Sequence, residues 1–136
     1  LVLVSVVIDI ERIGDYTKNI YDLAVNHPKK LAGGSVESRL ADIEKISYNL
    51  FEESIDAFKN QEIEKARELM GKYKENISSQ SDAITHEIIM GKIGDLEIGT
   101  ASAVGLYARY LKRIAAHSRN LISSIVNPFG RIGYPE

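Results

Sequence analysis

The stretch VESRLADIEKISYNLFEESIDAFKN, residues 36–60, decides the fold class. Within it Val36, Leu40, Ile43, Ser47, Leu50, Ser54 and Ala57 recur at steps of 4, 3, 4, 3, 4 and 3, the spacing of a helix that buries one seam in a bundle and not the alternation of a strand. Ile46, Phe51 and Phe58 widen the stripe on either side. Ser47 and Ser54 are small, so the spacing predicts that a neighbouring helix approaches closely there. Ser35, immediately ahead, is read as the N-cap.

Outward from this helix the same periodicity continues in both directions. Upstream, Ile13, Tyr16, Ile20 and Leu23 lie on one helical stripe that Pro28 brings to an end, and Lys29 to Gly34 reads as a loop. The apolar run Leu1 to Ile8 is too short to span a bilayer and is read as buried core in a chain that starts inside a longer element. Downstream, Asn60 is expected to cap a long third helix with its seam at Ala66, Met70, Tyr73, Ile77, Ile84 and Ile88, ended by Gly91 and Gly94. A fourth helix buries Val104, Ala108, Leu111, Ile114 or Ala115, Ser118, Leu121 and Ile125, and is terminated by Asn127-Pro128 with Gly130. About four helices joined by short connections give an all-α, antiparallel helical bundle.

Composition narrows the function classes. A chain of 136 residues is one domain's worth, and 17 Lys+Arg against 19 Asp+Glu leave a net charge of −2, without the basic excess of a nucleic-acid binder. With no cysteine, disulfide scaffolds, thiolate metal sites and Cys nucleophiles are excluded. No Gly-rich phosphate loop, His-Glu-x-x-His or Gly-x-Ser-x-Gly occurs, so no catalytic assignment has residues to stand on.

Two segments repeat across an offset of 101 residues. Arg12 to Ile20 aligns with Arg113 to Leu121, with identity at Arg12/Arg113, Ile13/Ile114 and Asn19/Asn120, which suggests duplicated helical units. In the first copy Glu11 and Asp15 stand four apart on one helix face, a candidate oxygen-ligand pair for a hard cation, and Asp22 extends the acidic track. Spacing alone also fits a solvated acidic face balanced by Arg12 and Lys18.

Asp9-Ile10-Glu11-Arg12-Ile13-Gly14-Asp15-Tyr16-Thr17-Lys18-Asn19-Ile20 resembles the signature of the PhoU family of phosphate-transport regulators, whose motif holds a (D/E)-x-x-x-D pair. Residues 35–126, with Arg109-Tyr110-Leu111-Lys112-Arg113-Ile114 near their end, are similar to the family's second repeat. The resemblance implies a spectrin-like three-helix repeat over 35–126, preceded by the closing helix of a first repeat over 1–27, in an N-terminally shortened chain. It further implies a non-enzymatic, cytoplasmic adaptor acting on a phosphate ABC transporter ATPase and a sensor histidine kinase. Homodimerisation is expected, and no membrane insertion.

In the family such carboxylates gather iron, zinc or another divalent cation, which assigns Glu11 and Asp15 as metal ligands. Lys112 and Ala116 stand where the second copy's carboxylates belong, so the second site is expected to be lost. The alternatives are a metal-dependent helical-bundle enzyme, weakened by the lack of any Glu-x-x-His, and a structural dimerisation module without metal. Asp82 with His86, four apart, is read as an exposed polar pair, His27 as a helix-end residue and His117 as a polar-face residue. Arg109, Lys112, Arg113 and Arg119 are a basic set able to hold a phosphate or an acidic surface, with Arg109 and Arg113 read as a solvated ladder.

Overall fold

The computed structural model describes residues 2–127. Helix α1 (Val2–Asn26) stops two residues short of Pro28, as the missing amide hydrogen and the proline ring require. A single 3₁₀ turn, Gly34–Val36, leads into α2 (Glu37–Asn60). Helices α3 (Ile63–Tyr73) and α4 (Ser79–Ile89) are joined through a π turn, Lys74–Ser78, with right-handed helical angles at both junctions, so they form one rod. The last helix is α5 (Ile98–Val126). Four helical rods, with no strand among the described residues, make the bundle that the seam spacing predicts.

The α2 seam is buried throughout, from Val36 through Leu40, Ile43, Ser47, Leu50 and Ser54 to Ala57. It faces Ala66, Leu69, Met70, Ile77 and Ile84 of the α3–α4 rod and Val104, Ala108, Leu111, Ala115 and Ile122 of α5 in one core. Of Ile114 and Ala115, Ala115 takes the main seam and Ile114 turns toward a second cluster. That cluster joins Val6 and Ile13 of α1 to Leu121, flanked by Phe51, Ile55 and Phe58 of α2. Between α4 and α5 the backbones come close, and Ser81 Oγ on α4 donates to the Ala108 carbonyl of α5 at 2.8 Å. Ser47 and Ser54 Oγ are buried without a hydrogen-bond partner among the described residues.

Three local expectations are corrected. Ser35 does not cap α2; it sits in the 3₁₀ turn, and its N–H and Oγ both donate to Asp95, at 2.8 and 2.9 Å, tying the α2 start to the loop before α5. Asn60 is the last residue of α2 and not the cap of the next helix, because the chain turns at Gln61, whose φ of 52° is left-handed and whose N–H reaches back to Ala57 and Phe58. The apolar start is mostly not core. Val6 is buried, but Leu3, Val4, Val7 and Ile8 are 72%, 58%, 52% and 49% exposed, because only one face of α1 meets the bundle. Leu1, Pro128 and Gly130 lie outside the described residues.

The core and the outer face of α1 should therefore respond differently to truncation. Ile43→Ala or Ile84→Ala is expected to cost about 2–5 kcal/mol in urea denaturation, whereas Val7→Ser should stay within about 0.5 kcal/mol of wild type.

Candidate functional site

The carboxylates singled out in the sequence stand in the open. Glu11, Asp15 and Asp22 are all exposed on α1, and Asp15 makes a long ion pair with Arg12 at 3.8 Å. Among the described residues no group of three His, Asp or Glu side chains lies close enough to share a metal. Lys112, partly buried, donates to Asp82 across the α4–α5 contact at 2.6 Å. Asp82 and His86 are both exposed, as the sequence reading expects, and Asp82 in addition anchors α4 to α5. His27 shapes the turn after α1, its Nδ1 2.5 Å from the Lys29 carbonyl and its Nε2 3.5 Å from Thr100 Oγ1.

A different cluster carries the polar chemistry between helices. On α1 the inward stripe runs Val6, Asp9, Ile13, Tyr16, Ile20 and Leu23, so Asp9 holds a seam position. A carboxylate there is costly unless it is paired and hydrogen-bonded. Asp9 is 7% exposed, and its Oδ1 lies 2.8 Å from His117 Nδ1 and accepts from Asn120 Nδ2 at 3.3 Å, both on α5. An ionised carboxylate only accepts, so Nδ1–H is the donor and fixes the imidazole's orientation. His117 Nε2 then faces Arg113 Nη2 at 3.5 Å. Tyr16 stacks on the imidazole with ring centres 6.0 Å apart and an interplanar angle of 25°; Tyr110 lies 6.1 Å from Tyr16, and the Arg113 guanidinium 6.0 Å from it.

His117 is therefore not a polar-face residue: it is 12% exposed and clamps α5 to α1. Arg113 likewise leaves the solvated ladder expected for it; it is partly buried over Tyr16 while Arg109 stays exposed, because the α1 rings offer the guanidinium a flat face. Arg119 lies 6.0 Å from the ring of Tyr73. Asp9 was missed in the sequence because it was read as part of a motif; its step of three from Val6 and four to Ile13 was the available signal. These contacts hold α1 and α5 in register.

A cleft of about 490 Å³ opens where the end of α1, the following loop, α2 and α5 converge, with Ile20, Leu23, Leu31 and Leu40 among its apolar walls. Tyr107 on its wall donates a short hydrogen bond to Glu44. Burial, then the hydrogen bond to Glu44, pushes the phenol above its ordinary range. Between α2 and α4, Arg39 grips Glu87 through two bonds of 2.9 and 2.6 Å, and that hydrogen bonding holds the Glu87 carboxyl below the usual glutamate range.

The sequence was compared with known proteins. The family model described as PhoU domain matches residues 40–125, which run from the first turns of α2 to the end of α5 and leave α1 outside. No curated protein and no solved structure matches the chain.

Two outcomes follow from this geometry. In a double-mutant cycle of Asp9→Ala and His117→Ala the coupling should be about 1.5–3 kcal/mol, as for a hydrogen bond to a charged group, with amide exchange accelerated along α1 before the other helices. For Glu87 the folded-state pKa is lowered, so its contribution is present above the ordinary glutamate range and is lost as pH falls through the lowered value. The stability difference between wild type and Glu87→Gln, measured by urea denaturation, should shrink between pH 7 and pH 3.

Proposed function

The chain belongs to the PhoU domain family, and from that membership we propose that it is a regulatory adaptor of phosphate uptake, working in the cytoplasm by helix-surface contact and not by catalysis. The family match over the α2–α5 bundle is the observation that carries this reading. The partners it would engage are the ATPase of a phosphate ABC transporter and a sensor histidine kinase, with the chain acting as a homodimer. No described helix is long and apolar enough to cross a membrane, which fits an adaptor that reaches its transporter from one side.

The same reading takes α1 as the closing helix of a first repeat and 35–126 as a second repeat. The offset of 101 residues supports it in detail. The exposed α1 residues Leu3, Val4, Val7 and Ile10 correspond to Val104, Gly105, Ala108 and Leu111 of α5, all buried. Further along, exposed Gly14, Thr17 and Tyr21 correspond to Ala115, Ser118 and Ile122, also buried. The outer stripe of α1 thus has the pattern of a bundle seam, and two helices of a first repeat would cover it as α2 and the α3–α4 rod cover α5.

Glu11 and Asp15 are the residues we propose as ligands of iron, zinc or another divalent cation. Both are exposed, carry oxygen donors and stand one turn apart, which suits a hard or borderline ion completed by water or a partner subunit. The corresponding positions of α5 do not fit: Lys112 is a cation engaged with Asp82, and Ala116 has no donor.

A pull-down from phosphate-replete and phosphate-starved cells should recover transporter ATPase subunits, and recovery of unrelated proteins alone under both conditions would sink the phosphate assignment. Metal analysis of protein prepared without chelator should find at most one site per chain, lost in Glu11→Ala; a site that survives this change would remove Glu11 from the ligand set.

A further inference from the structure

The most unusual electrostatic feature outside the proposed regulatory contacts is a pair of arginines without counter-ions. Arg109 and Arg113 stand one turn apart on α5, and among the described residues neither makes an ion pair with a carboxylate. Arg113 is partly buried; among the described residues its Nε is enclosed without an acceptor, and its Nη2 lies 3.5 Å from His117 Nε2. The nearby acids are otherwise engaged. Asp9 is held by His117 and Asn120 on the far side of the imidazole, Asp15 pairs with Arg12, and Asp82 takes Lys112.

Such an arrangement is unfavourable as it stands. Like charges four apart on a helix repel, and a guanidinium drawn partly out of water calls for a partner. The Tyr16 ring holds the Arg113 guanidinium, Tyr110 packs on Tyr16 in turn, and Arg109 is exposed one turn before Arg113. A guanidinium presents parallel N–H donors that match the oxygens of a phosphate group, and two of them match a doubly charged one.

We propose that the Arg109–Arg113 turn of α5, walled by Tyr16 and Tyr110, binds a doubly charged phosphate-type oxyanion, either the free ion or a phosphoryl ester. The ligand bridges the two guanidinium groups on the outer side of the imidazole and relieves their repulsion. Because Tyr16 belongs to α1 and Arg113 to α5, occupancy also tightens the joint between them. The site does not depend on the regulatory reading: a chain that recruits no transporter subunit would still bind the oxyanion, and a chain that binds none could still recruit.

The test is an NMR titration of the full chain with inorganic phosphate, and in parallel with O-phosphoserine, against chloride at matched ionic strength. Saturable shifts at Tyr16, Arg109, Tyr110 and Arg113 with either phosphate compound support the site, and the tighter of the two identifies the source. Arg109→Gln, at an exposed position that leaves the fold intact, should weaken binding about tenfold, or about 1.4 kcal/mol; Arg113→Gln should weaken it at least as much, and Arg119→Gln should leave it unchanged. Shifts that chloride reproduces, or affinity unchanged in Arg109→Gln, would overturn the proposal.

Discussion

Everything in this fold is built against α5. Among the described residues it packs on α1 along one stripe and on α2 and the α3–α4 rod along another. A helix enclosed on two sides cannot keep the broad polar face of an ordinary amphipathic helix, and its buried set is accordingly small: Ala103, Gly105, Ala108, Ala115, Ser118 and Ser123 sit among Val104, Leu111, Leu121 and Ile122. Small side chains let neighbouring axes come close enough for a serine hydroxyl on α4 to reach the α5 backbone. Close packing of this kind yields dispersion contacts and excludes water, and it leaves little tolerance for added volume.

The joint between α1 and α5 has a different character. Its apolar part is modest, resting on Val6, Ile13 and Leu121 with flanking aromatic rings of α2. Its specificity comes from the Asp9–His117–Asn120 contacts, which are satisfied only in one register because a slip along either helix would leave a buried carboxylate without donors. Polar contacts of this sort add less net stability than apolar ones, yet they define where α1 sits. The outcome is a helix bonded to α5 on one side, with an exposed side that mixes apolar residues such as Val4 and Val7 with the carboxylates Glu11 and Asp15.

The charged faces divide along the same line. The acidic motif residues Glu11, Asp15 and Asp22 project from the exposed side of α1, while the corresponding turn of α5 has become basic and aromatic. Charges of both signs thus stand on neighbouring helices. Lys112 of that turn is tied to Asp82 of α4.

How much of this was legible in the chain follows from what periodicity encodes. The 4-3 seam of residues 36–57 and the stripes around Ile84 and Ala108 specified helices and their buried faces, because burial in a bundle depends on spacing that each helix carries locally. Pro28 likewise fixed the end of α1 through its own covalent geometry. The helix boundaries at Ser35 and Asn60 were misread because residue type alone does not say whether a side chain caps its own helix or reaches a loop sixty residues on, as Ser35 does to Asp95. The covered stripe of α1 was legible at Ile13, Tyr16, Ile20 and Leu23, whereas the apolar start was misread as core because hydrophobicity alone does not say which of its residues face the bundle. Above all, the pairing of Asp9 with His117 is a contact across 108 residues, and only the packing of α1 on α5 brings those two side chains within hydrogen-bonding distance.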